Sequence, residues 1–235
     1  MPVSLWANPS GEQVVYGDTT FLRQGNTLTI TQGTQQTIIN WQDFSIGLNE
    51  LTQFFQPNND AIALNRVISG NPSLLYGSLQ ANGQVWLINP NGIMVGPNGQ
   101  IDTQSFLAST LDITNEDFLN GGSASFLGSS NAGIENQGNI SASGGDILLF
   151  ARTIENTGTL SALGGTVGLG AGTEILLMET GEERIMVQAG SETPDENGVL
   201  NQGTIQAVTA ELKAEGGNLY GLAVNNAGVF QATGF

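Results

Sequence analysis

Residues 134–153 read IENQGNISASGGDILLFART, and residues 154–173, directly after them, read IENTGTLSALGGTVGLGAGT. The two stretches agree at 11 of 20 positions without a gap, so the chain repeats with a period of 20 residues. The opening of the unit returns at Val199-Leu200-Asn201-Gln202-Gly203 and at Val224-Asn225-Asn226-Ala227-Gly228. Its second half, Gly144-Gly145-Asp146-Ile147, returns as Gly164-Gly165-Thr166-Val167 and as Gly216-Gly217-Asn218-Leu219. A period of this length without helical spacing is that of a β-solenoid. At ~3.3 Å per strand residue, twenty residues make a circuit of roughly 60 Å, room for about three short strands joined by tight bends. Each coil then pairs in parallel with the next. Ile140, Ala142, Ile147 and Leu149 alternate and are expected to point inward, with Ser141 and Ser143 facing water. Asn marks one corner and Gly-Gly another, the glycines falling where φ is positive or where coils approach closely. Leucine-rich repeats share the length range, but their LxxLxL signature is absent.

Composition agrees with this reading. The 235 residues include 33 glycines, and only 11% are charged. Solvated helix faces need Lys, Glu and Arg, and interior Gly costs a helix about 1 kcal/mol against Ala, so a helical bundle is excluded. With 39% hydrophobic residues the chain has enough apolar surface for a core and is not a disordered segment. The glycines show no three-residue period, which excludes collagen. Five basic residues against 21 acidic ones give a net charge of −16. So few cations cannot neutralise a phosphate track or hold an anionic membrane surface, which argues against nucleic acid as a partner. With no Cys and no His there is no disulfide, thiolate or imidazole chemistry, and neither a metal nor a cofactor is assigned. No apolar run approaches the ~20 residues of a membrane-spanning helix, and stable membrane insertion is not expected.

Two regions depart from the repeat. In the first third, Val14 to Tyr16, Leu28 and Ile30 among Thr27, Thr29 and Thr31, and residues 37–41 read as strands. Leu48, Leu51, Phe54 and Phe55, spaced by three and four and followed by Pro57, predict a short helix over residues 48–55. Further on, EILLME and RIMVQA flank Thr180-Gly181-Glu182-Glu183, predicting a hairpin that leaves the stack within residues 174–198 and ends in an acidic loop at residues 191–198. Residues 118–130, around Asn120-Gly121-Gly122, suggest a second excursion of the same kind. The expected organisation is one all-β domain over residues 1–235, with a cap over 1–36 and coils from 37 onward. Val224 opens a unit that Phe235 leaves unfinished, so a continuation is expected to stack on it.

The densest turn chemistry is Asn89-Pro90-Asn91-Gly92, with Asn, Pro, Asn and Gly in the order of a type I turn; Gly96-Pro97-Asn98-Gly99 repeats its last three positions. On these residues alone the two turns are coil corners. NPNGI (residues 89–93), preceded by VWLI and followed by FLASTLDI (106–113), with TIINW (37–41) and ALNRV (63–67) upstream, adds a resemblance. From about residue 10 to its end the chain resembles the N-terminal secretion domain of two-partner-secretion (TPS) exoproteins, the filamentous-haemagglutinin-like adhesins and cytolysins of Gram-negative bacteria. The haemagglutinin branch carries a further NPNL motif; the nearest segment here, Gln56-Pro57-Asn58-Asn59, resembles more the high-molecular-weight-adhesin branch that lacks it.

The resemblance implies a right-handed parallel β-helix with an N-terminal cap and extra-helical hairpins. It also implies recognition by the periplasmic POTRA domains of an outer-membrane TpsB-type barrel. The destination it implies is the cell surface or the medium, by way of the periplasm, with the isolated domain a monomer. Asn89, Pro90, Asn91, Gly92 and Ile93 carry over intact as the secretion motif, either as a contact or as the turn that fixes the fold. The strands bearing Leu28 and Ile30, and Ile38, Ile39, Asn40 and Trp41, are the candidates for β-augmentation by the transporter. A β-helical polysaccharide-processing enzyme or carbohydrate-binding module is the alternative. Against it, Arg23, Arg66, Arg152, Arg184 and Lys213 are scattered, and Asp146 is matched in the repeat by Thr166 and Asn218, so no carboxylate stack forms. Asp195-Glu196-Asn197-Gly198 lacks the spacing of a calcium loop. The chain is read as a non-enzyme.

Overall fold

The computed structural model describes residues 8–179, 184–188, 198–214 and 224–232. Three stacks of short parallel strands run along the molecule. The first face contains Thr27–Gln32, Leu51–Phe55, Ser78–Ala81, Gln100–Thr103, Asn139–Ala142, the leading parts of Thr159–Ala171 and Thr204–Ala214, and Val229–Ala232. Gln36–Trp41, Ile62–Val67, Gln84–Ile88, Ser105–Ser109, Ile147–Ala151 and the trailing parts of the two long strands form the second. The third contains Ser73–Leu75, Ile93–Val95, Ile134–Asn136, Ile154–Asn156, Val199–Asn201 and Val224–Asn226. The chain visits the faces in this order on every circuit, which is a parallel β-helix. Its period is visible in the ladders, where Ile134 pairs with Ile154, Asn139 with Thr159 and Ile147 with Val167.

Alternation along the strands sends Ile140, Ala142, Ile147 and Leu149 into the helix interior, together with Leu28, Ile30, Ile39, Val85, Leu87 and Phe106. Ser141 is left half-buried and Ser143 exposed. At the N-terminal end Trp41 plugs the first coil, its ring edge-on to Phe21 and Phe44 at 5.7 and 5.4 Å. Above it lies the cap: Gln13–Tyr16 pairs antiparallel with Gln36–Trp41, and Thr19–Gln24 antiparallel with Thr27–Gln32. Parallel stacking already begins at Thr27, ahead of the boundary at Gln36 read from the sequence.

Where the repeat places Asn, the interior is polar. Asn136, Asn156 and Asn201 are completely buried and sit in register on the third face. Buried amides need partners, and these find them in one another. The glycine two residues on, at 138, 158 and 203, is required by proximity and not by a left-handed backbone: a Cβ on Gly158 would lie 2.1 Å from the Gly138 carbonyl oxygen, and one on Gly203 2.1 Å from that of Gly158.

The helix expected over residues 48–55 is not formed. Leu51–Phe55 is a strand of the first face between Thr27–Gln32 and Ser78–Ala81, with Thr52 and Phe54 buried, while Leu48 lies exposed before it. The spacing of three came from joining a corner residue to a strand. Period-two burial across two neighbouring strands outweighs so short a helical pattern.

Outward-facing residues of the second face are also apolar, and the excursions cover them. Residues 118–130 hold no hairpin of their own: Asn115–Asn120 is a short helix capped by Thr114, whose hydroxyl accepts the Asp117 amide, and Ala124–Leu127 is a single strand. That strand joins Glu174–Leu177 and Ile185–Val187, an antiparallel pair as expected, in a three-stranded sheet. The Asn-Gly-Gly signal marks the end of the helix, with Gly121 and Gly122 at positive φ. Ile38, Leu64, Ile88, Leu107, Leu148 and Phe150 form a second core with Phe118, Phe126 and Ile175. Residues 180–183 of the hairpin turn, 191–197 of the acidic loop and 216–219 of the repeat lie outside the described residues.

Candidate functional site

Asn89 starts the corner between the second and third faces and is fully buried. Its Nδ2 donates to the Asn71 carbonyl at 3.0 Å and to Ser73 Oγ at 2.9 Å, and its Oδ1 accepts the Asn91 amide at 2.9 Å. The Gly92 amide closes the turn on the Asn89 carbonyl at 3.1 Å. Gly92 has φ of 107°, a conformation that glycine adopts without steric cost. Asn91 Nδ2 reaches the Ser69 carbonyl at 2.8 Å. Toward the following coil, the Asn89 amide donates to Ser109 at 2.9 Å and the Ile93 amide to Gly133 at 3.2 Å, and the Ser130 hydroxyl donates to the Pro90 carbonyl. Ile93 is buried and Pro90 exposed. The five residues thus tie together the coils before and after them. Ser69, Asn71, Ser73 and Ser130, which complete this arrangement, were not singled out from the sequence. The one signal for them is Asn71-Pro72, which repeats the Asn-Pro pair about one coil earlier.

The second turn works the same way, the Gly99 amide donating to the Gly96 carbonyl at 2.8 Å. Gln56 is another corner tie: its Nε2 donates to Ala61 at 2.9 Å, to Gln32 Oε1 at 3.1 Å and to Gln84 at 3.2 Å. Pro57, Asn58 and Asn59 are exposed beside it.

Leu28, Ile30, Ile38, Ile39 and Trp41 are fully buried in neighbouring strands of the first coil, with Asn40 partly exposed between them. In the folded domain neither strand has an open edge, because the cap pairs with one side of each and the next coil with the other. None of the hydrogen bonds of residues 89–93 described above reaches these strands.

Two of the cations that look scattered in the sequence meet in space. Arg184 Nη1 lies 3.0 Å from Asp146 Oδ2, and Lys213 Nζ 3.2 Å from Glu211 Oε2. The Glu211 carboxylate, buried, also accepts the Arg184 and Ile185 amides at 2.6 and 3.2 Å. This cluster fastens the hairpin to the coils. Arg66 does the same for the short helix, reaching Asp112 at 2.9 Å, Asn115 at 3.0 Å and the Ile113 carbonyl at 2.7 Å.

Comparison with known proteins agrees with this geometry. Residues 7–235 match the family model described as TPS secretion domain. Two heme/hemopexin-binding proteins of Haemophilus influenzae are 41% and 40% identical over 105 and 106 residues, 45% of this chain and 12% and 11% of theirs. The match therefore spans only about a tenth of the length of those relatives. Among solved structures, the HMW1 secretion domain from Haemophilus influenzae has a TM-score of 0.74 and 35% identity over 87% of this chain and 57% of that one. The filamentous hemagglutinin secretion domain, at 16% identity and a TM-score of 0.71, covers 96% of this chain and 84% of its own and shows the shared fold. TPS secretion domains are non-enzymatic targeting domains of exported exoproteins, recognised by TpsB transporters. A β-helix with this cap, these excursions and this corner motif, matched along nearly its whole length, belongs to the TPS secretion domain family.

Proposed function

We propose that this domain is held by the periplasmic POTRA domains of a TpsB-type outer-membrane barrel and then folds outside a Gram-negative cell as the nucleus on which further coils stack. No nucleotide is available at the outer membrane, so folding itself is a source of free energy for export: each added coil pairs its backbone and buries its inner face on the one before. The observation that carries this reading is the hydrogen bonding of Asn89 and Asn91 to residues 69–73, which locks a corner between successive coils early in the chain. A motif so placed makes the first coils a rigid template. The strands of Leu28, Ile30 and Ile38 to Trp41, closed on both edges once folded, are open to β-augmentation only while the chain is extended, which fits capture before folding.

Polysaccharide processing has no comparable support, since Asp146 and Glu211 are engaged in fastening the hairpin. The test is co-expression with a TpsB-type barrel. Release of the domain into the medium only when that barrel is present supports export; release without it overturns the reading.

A further inference from the structure

Outward positions of the second face run in register from coil to coil. Leu64 pairs with Trp86, Trp86 with Leu107, Leu107 with Leu148, Leu148 with Gly168, and Gly168 with Glu211. The column changes character along its length: four apolar side chains give way to a glycine and then to a carboxylate. In the next column Phe150 pairs with Gly170 and Gly170 with Lys213. The two glycines are seats for the extra-helical hairpin. A Cβ on Gly168 would lie 2.8 Å from Leu148 and 3.4 Å from Ile185, and one on Gly170 3.0 Å from Ile175 and 3.4 Å from Phe150.

The cover of these columns comes from segments that follow most of the coils in the chain. Phe118 and Phe126 come from one excursion, Ile175 and Ile185 from the next. Among the described residues, Ala124–Leu127 has one ladder, to Glu174–Leu177, and a single bridge from Leu127 to Asp112. An isolated two-stranded hairpin such as Glu174–Leu177 with Ile185–Val187 is marginal in water. Its fastenings lie on different coils. Asp146, just before Ile147–Ala151, takes Arg184, while Glu211 and Lys213 of Thr204–Ala214 hold the Ile185 amide and carbonyl. The excursion sheet therefore has no seat until those coils are stacked. The inner faces of the coils, by contrast, form a core that contains no residue of the excursions.

We infer that the excursion sheet is a strap that closes after the coils have stacked, and that its closure commits the domain to the folded state. The inference rests on the export reading for its place in the order of events. Because Glu211 and Lys213 follow nearly all the coils, the strap is fastened only after they too have left the barrel. Until then the coils outside carry a bare apolar column, one side chain every ~4.8 Å. Interactions made after the folding barrier slow unfolding without speeding folding, so the strap acts as a one-way catch on coils that are already formed.

The test refolds the purified 235-residue domain from urea and labels its amides with short pulses of hydrogen exchange, read by mass spectrometry. The expected result is that Gln84–Ile88 and Ile147–Ala151 gain protection at least about tenfold faster than Glu174–Leu177 and Ile185–Val187. Simultaneous protection, or protection of the hairpin first, overturns the inference. A second measurement uses I175A/I185A, which empties both glycine seats. Its unfolding rate should rise by about tenfold or more, while the coil strands gain protection within about twofold of the parent rate. Slowed coil formation, an unchanged unfolding rate, or a variant that does not fold would each show that the hairpin is no late catch. Both measurements are made on the domain alone, so they decide the strap separately from export. Failure of secretion through a TpsB-type barrel would remove the export reading and leave these kinetics as they stand.

Discussion

Asn136 Nδ2 donates to Asn156 Oδ1 at 2.8 Å across neighbouring coils, and Asn156 Nδ2 donates onward to Asn201 Oδ1 at 2.7 Å. The direction is the same at each step. Replacing Asn156 with Ala removes an acceptor from Asn136 and a donor from Asn201, all three fully buried. Leaving buried polar groups unsatisfied costs about 1–3 kcal/mol each, so Asn156→Ala is expected to lower stability by about 2–4 kcal/mol. Ser141→Ala, on the outer side of the first face, should stay within about 0.5 kcal/mol of the parent. Urea unfolding of both variants checks the contrast; equal effects would contradict the role given to the ladder.

Gly158 and Gly25 separate two reasons for glycine. A Cβ at 158 would strike the Gly138 carbonyl, whereas Gly25 has φ of 59° and nothing within 4 Å of where its Cβ would be. Gly158→Ala and Gly158→Asn should therefore both destabilise by a few kcal/mol, through displacement of a neighbouring coil. Gly25→Asn should be nearly neutral, since Asn tolerates the left-handed region, and Gly25→Ala should cost about 1–2 kcal/mol. Thermal melts of the four variants decide it. Tolerance of Asn at 158 would point to backbone handedness in place of the collision.

Glu211 holds the start of the second hairpin strand through the Arg184 and Ile185 amides and is itself paired with Lys213. Glu211→Ala is expected to loosen Glu174–Leu177 and Ile185–Val187 by about 1–3 kcal/mol locally. Hydrogen exchange should speed up in those strands and remain slow in Ile134–Asn136 and Ile154–Asn156. Uniform acceleration throughout the coils would show instead that the hairpin is integral to the stack.

The coil architecture was legible because its determinants are local and repeated: Asn at 136, 156 and 201, Gly two residues on, and alternation in between. Each repetition restates the same constraint. What was not legible depends on partners distant in sequence. Leu51, Phe54 and Phe55 are read differently once Thr27–Gln32 and Ser78–Ala81 flank them, and Phe118 lies in a short helix over Trp86, at 5.5 Å, not in a hairpin strand. The site divides in the same way. Turn chemistry reveals residues 89–93, but the carbonyls of Ser69 and Asn71 that make the turn a corner tie have no side-chain signature. Nor does charge order along the chain bring Arg184 to Asp146 and Lys213 to Glu211.

The central claim is that residues 89–93 serve export by fixing the fold of the early coils. Changing Asn89 and Asn91 together to Ala removes the buried bond to Ser73 and the partly buried bonds to Asn71 and Ser69, for an expected loss of about 3–5 kcal/mol. The deciding measurement pairs the melting midpoint of the purified double variant with its secretion through the partner barrel. The account predicts that both fall together, and that lowering the temperature restores part of the secretion. Secretion abolished with an unchanged midpoint would contradict it, making these asparagines a contact surface instead of a structural corner.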